Sequence, residues 1–288
     1  MFASHFMRQS LQSLLFFVFA AAAFAQAQPA QKPFEPQVGQ DGKDVMWVPT
    51  PPVMVNKMLD LAQITARDFL IDLGSGDGIT VIAAAKRGAR ALGIEYNPDM
   101  VELSTRNAER AGVSAKAKFV KADLFESDFS QATVITMFLL PDINLKLRPK
   151  ILDLKPGTRI VSNTFTMGEW KDDETATVDE KDGCTNYCTA HLWIVPAKVE
   201  GIWQMPQGEL ALKQSFQMVT GTFKTGHNTT PITNGRLRGD KLSFTASGAE
   251  YNGRVNGNSI AGMVKAGSKV VAWSATRSGK PAPAPAKN

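Results

Sequence analysis

The sequence predicts an α/β fold with a mainly parallel sheet, followed by a small all-β domain. Three observations support this fold class. A short apolar run from Phe69 to Leu73 leads into a glycine-rich turn and then an alanine-rich segment, as in a buried strand, a turn and a helix. Apolar runs and helical segments then alternate as far as residue 195. After Pro196, short alternating segments are separated by turn dipeptides that are typical of β-hairpins.

Residues 1–27 predict a secretory signal peptide. Arg8 is their only lysine or arginine, an apolar run extends from Leu14 to Ala25, and small residues allow cleavage after Ala25 or Ala27. An uncleaved membrane anchor is the alternative, although the run is shorter than the roughly 20 residues of a membrane span. We therefore expect an exported, periplasmic protein, or else a membrane-anchored one.

Composition divides the remaining chain into four parts. We predict a linker over residues 28–44, an α/β domain over 45–198, a β-sandwich or barrel of about seven strands over 199–277, and a disordered Pro/Ala tail over 278–288. Residues 26–199 carry a net charge of −3, whereas residues 200–288 carry +7. The basic β domain favours contact with an anionic envelope or membrane surface, and a solvated basic surface without a partner is the alternative. No specific nucleic acid is expected, because no basic run is interleaved with aromatic residues.

Hydrophobic period, prolines and glycines place the elements of the α/β domain in order. We predict helices over 53–61, 78–87, 99–112 and 144–154, and strands over 69–73, 91–94, 117–120, 133–140, 158–162, 175–178 and 190–195. A helix before the last two strands is not expected, because the acid-rich stretch between Phe165 and Lys181 has few apolar residues. We interpret that stretch as a solvated loop; attraction of a basic protein substrate is the alternative.

The turn after the first strand carries glycines at positions 74, 76 and 78, with Asp72 two residues before the first and Ser75 between the first two. Alternate glycines let the chain reverse tightly and let a ligand approach backbone amides at a helix N-terminus. Dinucleotide-binding folds show G-x-G-x-x-G instead. The G-x-G-x-G spacing therefore disfavours an NAD enzyme.

Two further acids follow the next two strands. Glu95 lies 19 positions after Gly76 and should emerge beside the glycine turn, where it would accept the ribose hydroxyls of an adenosine ligand. Helix capping is the alternative, although Asn97 is better placed for it. Asp123 would accept the adenine amine while Leu124 covers the ring, with a simple turn acid as the alternative.

The fourth strand ends in Phe138, Leu139, Leu140 and Pro141. Phe138, Leu139 and Pro141 are candidate walls of a substrate pocket, and no residue stands out as a catalytic base. Enzymes that modify the amines of nucleic-acid bases often carry Asn or Asp followed by two prolines and an aromatic residue at such a strand end. Because this chain lacks that motif, a nucleic-acid base is disfavoured as substrate.

Cys184 and Cys188 are the two cysteines of the chain. In an oxidising compartment they could close a small disulfide loop. A zinc site is disfavoured, because two thiols with only His191 nearby do not supply four ligands. We therefore predict no metal.

In order and spacing, Asp72, the three glycines, Glu95 and Asp123 resemble the class I S-adenosylmethionine (SAM) methyltransferases over residues 68–163. The stretches WVPTPP, DLGSGDG, IAAAK and FLLP resemble one subgroup, the lysine methyltransferases of the mitochondrial adenine nucleotide translocase and an ATP synthase subunit. The resemblance implies a doubly wound, Rossmann-like seven-strand sheet, SAM as cofactor and a protein lysine as acceptor. The cofactor would be bound by Asp72, Gly74, Ser75, Gly76, Gly78, Glu95, Asp123 and Leu124.

The predicted signal peptide and β domain depart from that subgroup and leave two alternatives open. One is a methyltransferase of small molecules. The other is an exported, non-catalytic binding module that keeps the SAM fold, since SAM is made in the cytoplasm.

Overall fold

The computed structural model describes residues 34–278. The predicted signal peptide, the first residues of the predicted linker and nearly all of the predicted tail lie outside the described residues. Within residues 34–278, no helix is both long enough and apolar enough to cross a membrane.

Seven strands and four helices form a doubly wound α/β domain, which confirms the predicted class. The helices are α1 (Pro52–Leu61), α2 (Ile79–Lys86), α3 (Pro98–Arg110) and α4 (Pro141–Leu152). The strands are β1 (Phe69–Leu73), β2 (Arg90–Glu95), β3 (Ala117–Lys121), β4 (Val134–Met137), β5 (Arg159–Asn163), β6 (Glu174–Thr177) and β7 (Thr189–Ile194). Their order across the sheet is β3-β2-β1-β4-β5-β7-β6, and only β7 runs antiparallel to its neighbours.

The strand order reverses at β1, which pairs with β2 on one side and β4 on the other. After Phe69 every residue of β1 is buried, which explains why the strand reads as a continuous apolar run. In open α/β sheets, ligands bind in the crevice at the carboxyl ends of the strands beside such a reversal. This crevice lies where β1, β2 and β4 end.

All predicted helices and strands of this domain are observed within three residues of their predicted ends. The largest differences meet at Pro141, where β4 ends three residues early and α4 begins three residues early. Proline at the first helical position is compatible with helix geometry and ends the preceding strand. Phe138 to Leu140 therefore form a short connection at the crevice rather than the end of a strand.

No α-helix lies between β5 and β6, as predicted, and a short 3₁₀ helix spans Glu180–Asp182. The acids before it are largely paired within the chain. Asp172 pairs with His191, and Asp173 and Glu174 pair with Arg236 and Arg238 of the C-terminal domain. The side chain of Asp173 is fully buried, so the prediction of a solvated acid loop is wrong for that residue.

Cys184 and Cys188 form a disulfide that closes the loop before β7, as the sequence allowed. Cys184 is buried and belongs to the same apolar cluster as Val178, Ala190 and Leu192. The disulfide is therefore anchored in the core of the α/β domain. Because the two sulfurs are joined, neither is available as a zinc thiolate.

Nine antiparallel strands form the C-terminal domain, two more than predicted. They are β8 (Gly201–Met205), β9 (Gly208–Ser215), β10 (Met218–Thr225), β11 (Asn228–Pro231), β12 (Thr233–Arg238), β13 (Lys241–Ala246), β14 (Ala249–Asn256), β15 (Ser259–Ala266) and β16 (Lys269–Ser278). The ring β8-β9-β10-β12-β13-β14-β15-β16 closes because β16 pairs with β8, and β11 pairs with β10. The domain is a barrel rather than a sandwich.

The strand count differs because β11 and β12 are separated only by Ile232, without turn residues between them. Asn234-Gly235, a predicted hairpin turn, instead lies inside β12 at a bulge, where Asn234 has φ +53°. A Cβ on Gly235 would lie 2.1 Å from the Val219 carbonyl oxygen. That glycine therefore permits close approach of β10 and does not form a turn.

Polar and aromatic contacts join the two domains. Gln217 donates from Nε2 to the carbonyl oxygen of Lys171 at 2.7 Å. Phe216 stacks on Trp170 with ring centroids 6.0 Å apart. Together with the ion pair between Arg236 and Asp173, these contacts attach the barrel to the segment before β6, on the far side of β5 from β1.

Candidate active site

The glycine turn follows β1 and holds three left-handed residues, Gly74, Gly76 and Gly78, with φ of +75°, +52° and +82°. A Cβ on Gly76 would lie 2.7 Å from Nε1 of Trp47, and one on Gly78 would lie 2.7 Å from the ring of Phe119. Both backbone shape and space therefore require glycine here. Gly74 and Gly76 line the cavity at this edge of the sheet, whereas Gly78 lies behind it as the N-cap of α2.

Glu95 at the end of β2 reaches the glycine turn, as its spacing predicted. Its Oε2 accepts a hydrogen bond from the Gly76 amide and its Oε1 accepts one from the Asn97 amide, both at 2.9 Å. The alternative role in helix capping belongs to Asn97, whose side chain accepts from the Asp99 amide. Glu95 therefore presents a half-buried carboxylate to the cavity beside the turn.

Asp72 is buried below the glycine turn and accepts a 2.6 Å hydrogen bond from the Thr136 hydroxyl. Burial raises the pKa of the Asp72 carboxyl to about 7; the bond from Thr136 opposes that rise, and the charges of Asp77 and Glu95 add to it. Among residues 34–278, Asp72 has no basic partner. A positively charged ligand in the cavity would favour its ionised form.

Two features of the turn fit a SAM-like ligand. Ser75 lines the cavity, and its hydroxyl, which lies against Gly93 of β2, is buried without a hydrogen-bond partner in the described structure. The side chains of Asp72 and Glu95 supply carboxylates to a ligand that carries positive charge and ribose hydroxyls. The residues present thus match the polar groups of SAM, and the glycines leave room for its approach to the backbone.

Asp123 follows β3 and also lines the cavity, with Leu124 beside it. Its Oδ1 accepts from the Phe125 amide at 2.9 Å and its Oδ2 lies 3.0 Å from Nζ of Lys43. The hydrogen bond from Phe125 and then the contact with Lys43 lower the pKa of the Asp123 carboxyl. The residue expected to accept an adenine amine is therefore ion-paired to the segment before α1.

That segment is a small hairpin over residues 39–47, of which 39–44 fall in the predicted linker. The Gly39 amide donates to the Trp47 carbonyl and the Trp47 amide donates to the Gln40 carbonyl, both at 2.9 Å. Trp47 lies against Gly76, and the hairpin forms one wall of the cavity. Sequence reasoning missed this wall, although Asp41-Gly42 before Val45-Met46-Trp47 is a hairpin signal.

Aromatic and apolar side chains line the opposite part of the cavity. Phe138 and Leu139 line the cavity, as predicted, together with Leu140, and all three come from the connection after β4 rather than from the end of the strand. The prediction of Pro141 as a wall is wrong, because Pro141 begins α4, is exposed and does not line the cavity. Phe165, two residues after β5, and Tyr187, in the disulfide loop, were not predicted. No sequence motif marks them, because they meet Phe138 only through the strand order.

The cavity has a volume of about 470 Å³, within the range of small-molecule sites. We name its two parts by their residues. The cofactor end contains Asp72, Gly74, Gly76, Glu95 and Asp123. The acceptor end contains Phe138, Leu139, Phe165 and Tyr187. One end is polar and the other is apolar, as expected where a charged ligand meets a second substrate that must lose water.

The chain is similar to known methyltransferases. The sequence model of the ANTKMT methyltransferase domain matches residues 72–174. A protein-lysine N-methyltransferase from Saccharolobus islandicus is 42% identical over 154 residues, which cover 52% of this chain and 94% of that protein. A mouse lysine N-methyltransferase, named for its action on the ATP synthase, is 42% identical over 110 residues, covering 38% of this chain and 44% of that protein. The chain thus spans less than half of the mouse relative's length.

Among solved structures, an RNA methyltransferase from Salinibacter ruber in complex with S-adenosyl-L-homocysteine is 45% identical. The match covers 53% of this chain and 96% of that chain, with a TM-score of 0.49. The match to the ANTKMT methyltransferase domain ends at residue 174, before the antiparallel barrel begins.

Proposed function

Because the chain belongs to the ANTKMT methyltransferase-domain family and is a class I SAM-dependent methyltransferase, we propose that its acceptor is the side-chain amine of a protein lysine. The acceptor end carries this proposal. Phe138, Leu139, Phe165 and Tyr187 form an apolar surface beside the cofactor end, without the Asn/Asp-Pro-Pro-aromatic motif of base-modifying enzymes. The names of the relatives from Saccharolobus islandicus and mouse point to the same acceptor.

An apolar acceptor site suits a lysine because the amine must be neutral to react. With an ordinary pKa of about 10.4, deprotonation at pH 7 costs roughly 4.6 kcal/mol. An environment without water disfavours the ammonium and lowers this cost. The side chains around Phe138 supply that environment, so no dedicated general base is required.

SAM, when bound, supplies a methyl group already activated on a sulfonium. The chain's own residues then bind, orient and exclude water. The glycine turn, Asp72 and Glu95 would hold the cofactor at its end of the cavity. The apolar side chains of the acceptor end would hold the neutral amine beside the cofactor end and exclude water from it.

The mature protein is proposed to act outside the cytoplasm. The N-terminal sequence pattern and the Cys184–Cys188 disulfide support this location, since disulfides persist in oxidising compartments. Contact of the basic barrel with an anionic envelope surface stays a prediction. Three of its arginines, Arg236, Arg238 and Arg254, are already paired with acids of the same chain.

A methyl-transfer assay tests the acceptor. The purified protein is incubated with SAM carrying a labelled methyl group and, in parallel, with protein, RNA and metabolite extracts from cells that lack it. We expect label in protein, recovered as methylated lysine after hydrolysis and mass spectrometry, and no label with Glu95→Ala. Label in RNA or metabolites alone would contradict the proposal.

The location is tested by alkylating cellular thiols under denaturing conditions without reductant. We expect both cysteines of the mature protein to resist alkylation and the protein to fractionate with the envelope or periplasm. Reactive thiols on a cytoplasmic protein would contradict export.

A further inference from the structure

Tyr187 occupies an unusual backbone position at the mouth of the acceptor end. It lies in the loop closed by the Cys184–Cys188 disulfide and has φ +58°, a left-handed conformation that bulky residues seldom adopt. Its side chain lines the cavity and the residue is 43% exposed. Such strain persists only where the surrounding structure imposes it, and it often occurs at ligand sites.

A second residue with left-handed backbone, Thr164, precedes the neighbouring aromatic residue, Phe165. Thr164 has φ +63°, which is rare for a β-branched residue. The Thr164 amide donates to the carbonyl of Thr189 in β7 at 2.7 Å. The side-chain Nδ2 of Asn144 on α4 donates to the carbonyl oxygen of Phe165 at 3.3 Å. Two unfavourable backbone positions thus present two rings to the same cavity.

The rings of Phe138, Phe165 and Tyr187 form one cluster. The centroids of Phe138 and Phe165 are 6.0 Å apart with nearly parallel planes, and Tyr187 lies 5.1 Å from Phe138 and 6.2 Å from Phe165. These separations leave no slot between the rings. The cluster is therefore a continuous aromatic surface along which an unbranched side chain can lie.

We propose that this surface binds the alkyl stem of the neutral amine acceptor and, after transfer, its methylated ammonium, and that Tyr187 is the specificity-determining residue of the surface, held in place by the disulfide. Aromatic faces attract methylated ammonium ions, which are less hydrated than a primary ammonium. The surface would therefore hold both the aliphatic stem of the acceptor and the methylated product. This inference deepens the proposed function and rests on it for the identity of the acceptor.

The disulfide has a defined part in this site. Cys184 is buried in the apolar core of the domain, and the Cys188 carbonyl accepts from the Val178 amide at 2.9 Å. Both ends of the loop are thus attached to the sheet, which leaves Tyr187 little freedom. When the disulfide is reduced, the loop can relax from the left-handed conformation and withdraw the ring.

Binding, rather than turnover, tests the proposal. The probes are acetyl-trimethyllysine-amide, acetyl-lysine-amide and the uncharged acetyl-norleucine-amide, titrated by NMR into protein saturated with S-adenosyl-L-homocysteine. We expect the trimethylated probe to bind most tightly of the three. Tyr187→Ala should weaken its affinity by about fivefold or more, and Tyr187→Phe should bind it like the wild type. Equal binding of that probe to wild type and Tyr187→Ala would overturn the assignment.

Reduction of the disulfide tests the role of the loop. Reduction of the disulfide, or its removal by Cys184→Ser together with Cys188→Ser, should weaken binding of the trimethylated probe when Tyr187 is present. The same treatment should have little further effect on binding in Tyr187→Ala. An equal effect in both backgrounds would show that the disulfide does not act through Tyr187.

Cofactor affinity tests whether the Tyr187 ring contacts the cofactor instead of the acceptor. Tyr187→Ala should change the affinities for SAM and S-adenosyl-L-homocysteine by the same small factor. Selective loss of SAM binding would mean that Tyr187 contacts the sulfonium, which would overturn the acceptor assignment. Because the probes need no turnover, failure of the labelled-methyl assay on proteins would refute the proposed function without changing these results.

Discussion

The cofactor end and the acceptor end of the cavity are built from different kinds of sequence. At the cofactor end, Asp72, Gly76 and Glu95 lie within 24 consecutive residues of one strand–helix–strand unit. At the acceptor end, Phe138, Phe165 and Tyr187 come from three connections spread over 50 residues. The first end depends on backbone conformation and charge, and the second on the packing of separate loops. Variants at one end should therefore leave the other unchanged.

Asp72→Asn should give the largest effect, on the pH dependence of the free energy of unfolding. The folded pKa of Asp72, about 7, exceeds its unfolded value of 3.8, so the folded protein binds more protons between these values. Its contribution to stability is present below pH 4 and is lost as pH rises through 7, amounting to about 4 kcal/mol. Urea unfolding of the ligand-free protein should show this decline in the wild type and a flatter profile in Asp72→Asn.

A matched measurement with SAM sharpens that result. Above pH 7, ligand-free Asp72→Asn should be more stable than the wild type, and saturating SAM should reduce or reverse the difference, because a cationic ligand compensates the ionised carboxylate. A wild-type profile parallel to that of Asp72→Asn would show that the cofactor end is not destabilised by this buried acid.

Glu95→Ala should weaken SAM binding by more than about 100-fold. The change removes the carboxylate expected to accept hydrogen bonds from the ribose hydroxyls of the cofactor, each contributing roughly 1.5 to 3 kcal/mol, and it frees the Gly76 amide. Isothermal titration calorimetry measures the effect. Asp99→Ala, an exposed acid four residues away, is the matched control and should bind SAM like the wild type. Similar losses in both variants would mean that net charge, not the ribose contact, decides affinity.

Phe165→Ala should lower methyl transfer to the protein fraction by about 10-fold to 100-fold. The lost ring removes roughly 1.5 to 3 kcal/mol of apolar contact with the acceptor. SAM affinity should remain within about twofold of the wild-type value, because the cofactor end is intact. Comparable losses in SAM binding and transfer would show that the two ends are not separable.

Lys43→Met should give the smallest effect, about twofold to fivefold weaker SAM binding. Lys43 contacts the Asp123 carboxylate at 3.0 Å and lies over the rings of Tyr96 and Phe125, in a solvent-exposed setting. The difference in SAM affinity between Lys43→Met and the wild type should become smaller at high salt, because exposed ion pairs are screened. Tighter binding in Lys43→Met would instead mean that Lys43 competes with the cofactor for Asp123.

The α/β domain could be predicted almost completely because its signals are local. Buried parallel strands read as apolar runs, and prolines and glycines mark the helix ends. The barrel was predicted less well, since β11 consists of three polar residues and a proline, without alternation, and Asn234-Gly235 forms a bulge where the dipeptide predicts a turn. Whether such a dipeptide forms a turn or a bulge depends partly on the neighbouring strand, and the dipeptide sequence carries no information about that strand.

By itself the sequence determined the glycine turn, the placement of Glu95 beside it and the SAM-type cofactor end. These follow from φ preferences and from the length of one strand–helix–strand unit. Only the tertiary structure decided that Lys43 meets Asp123, that Trp47 covers Gly76 and that Tyr187 joins Phe138 and Phe165. Those contacts depend on strand order and on a disulfide loop anchored in the core, because packing joins residues that no local pattern connects.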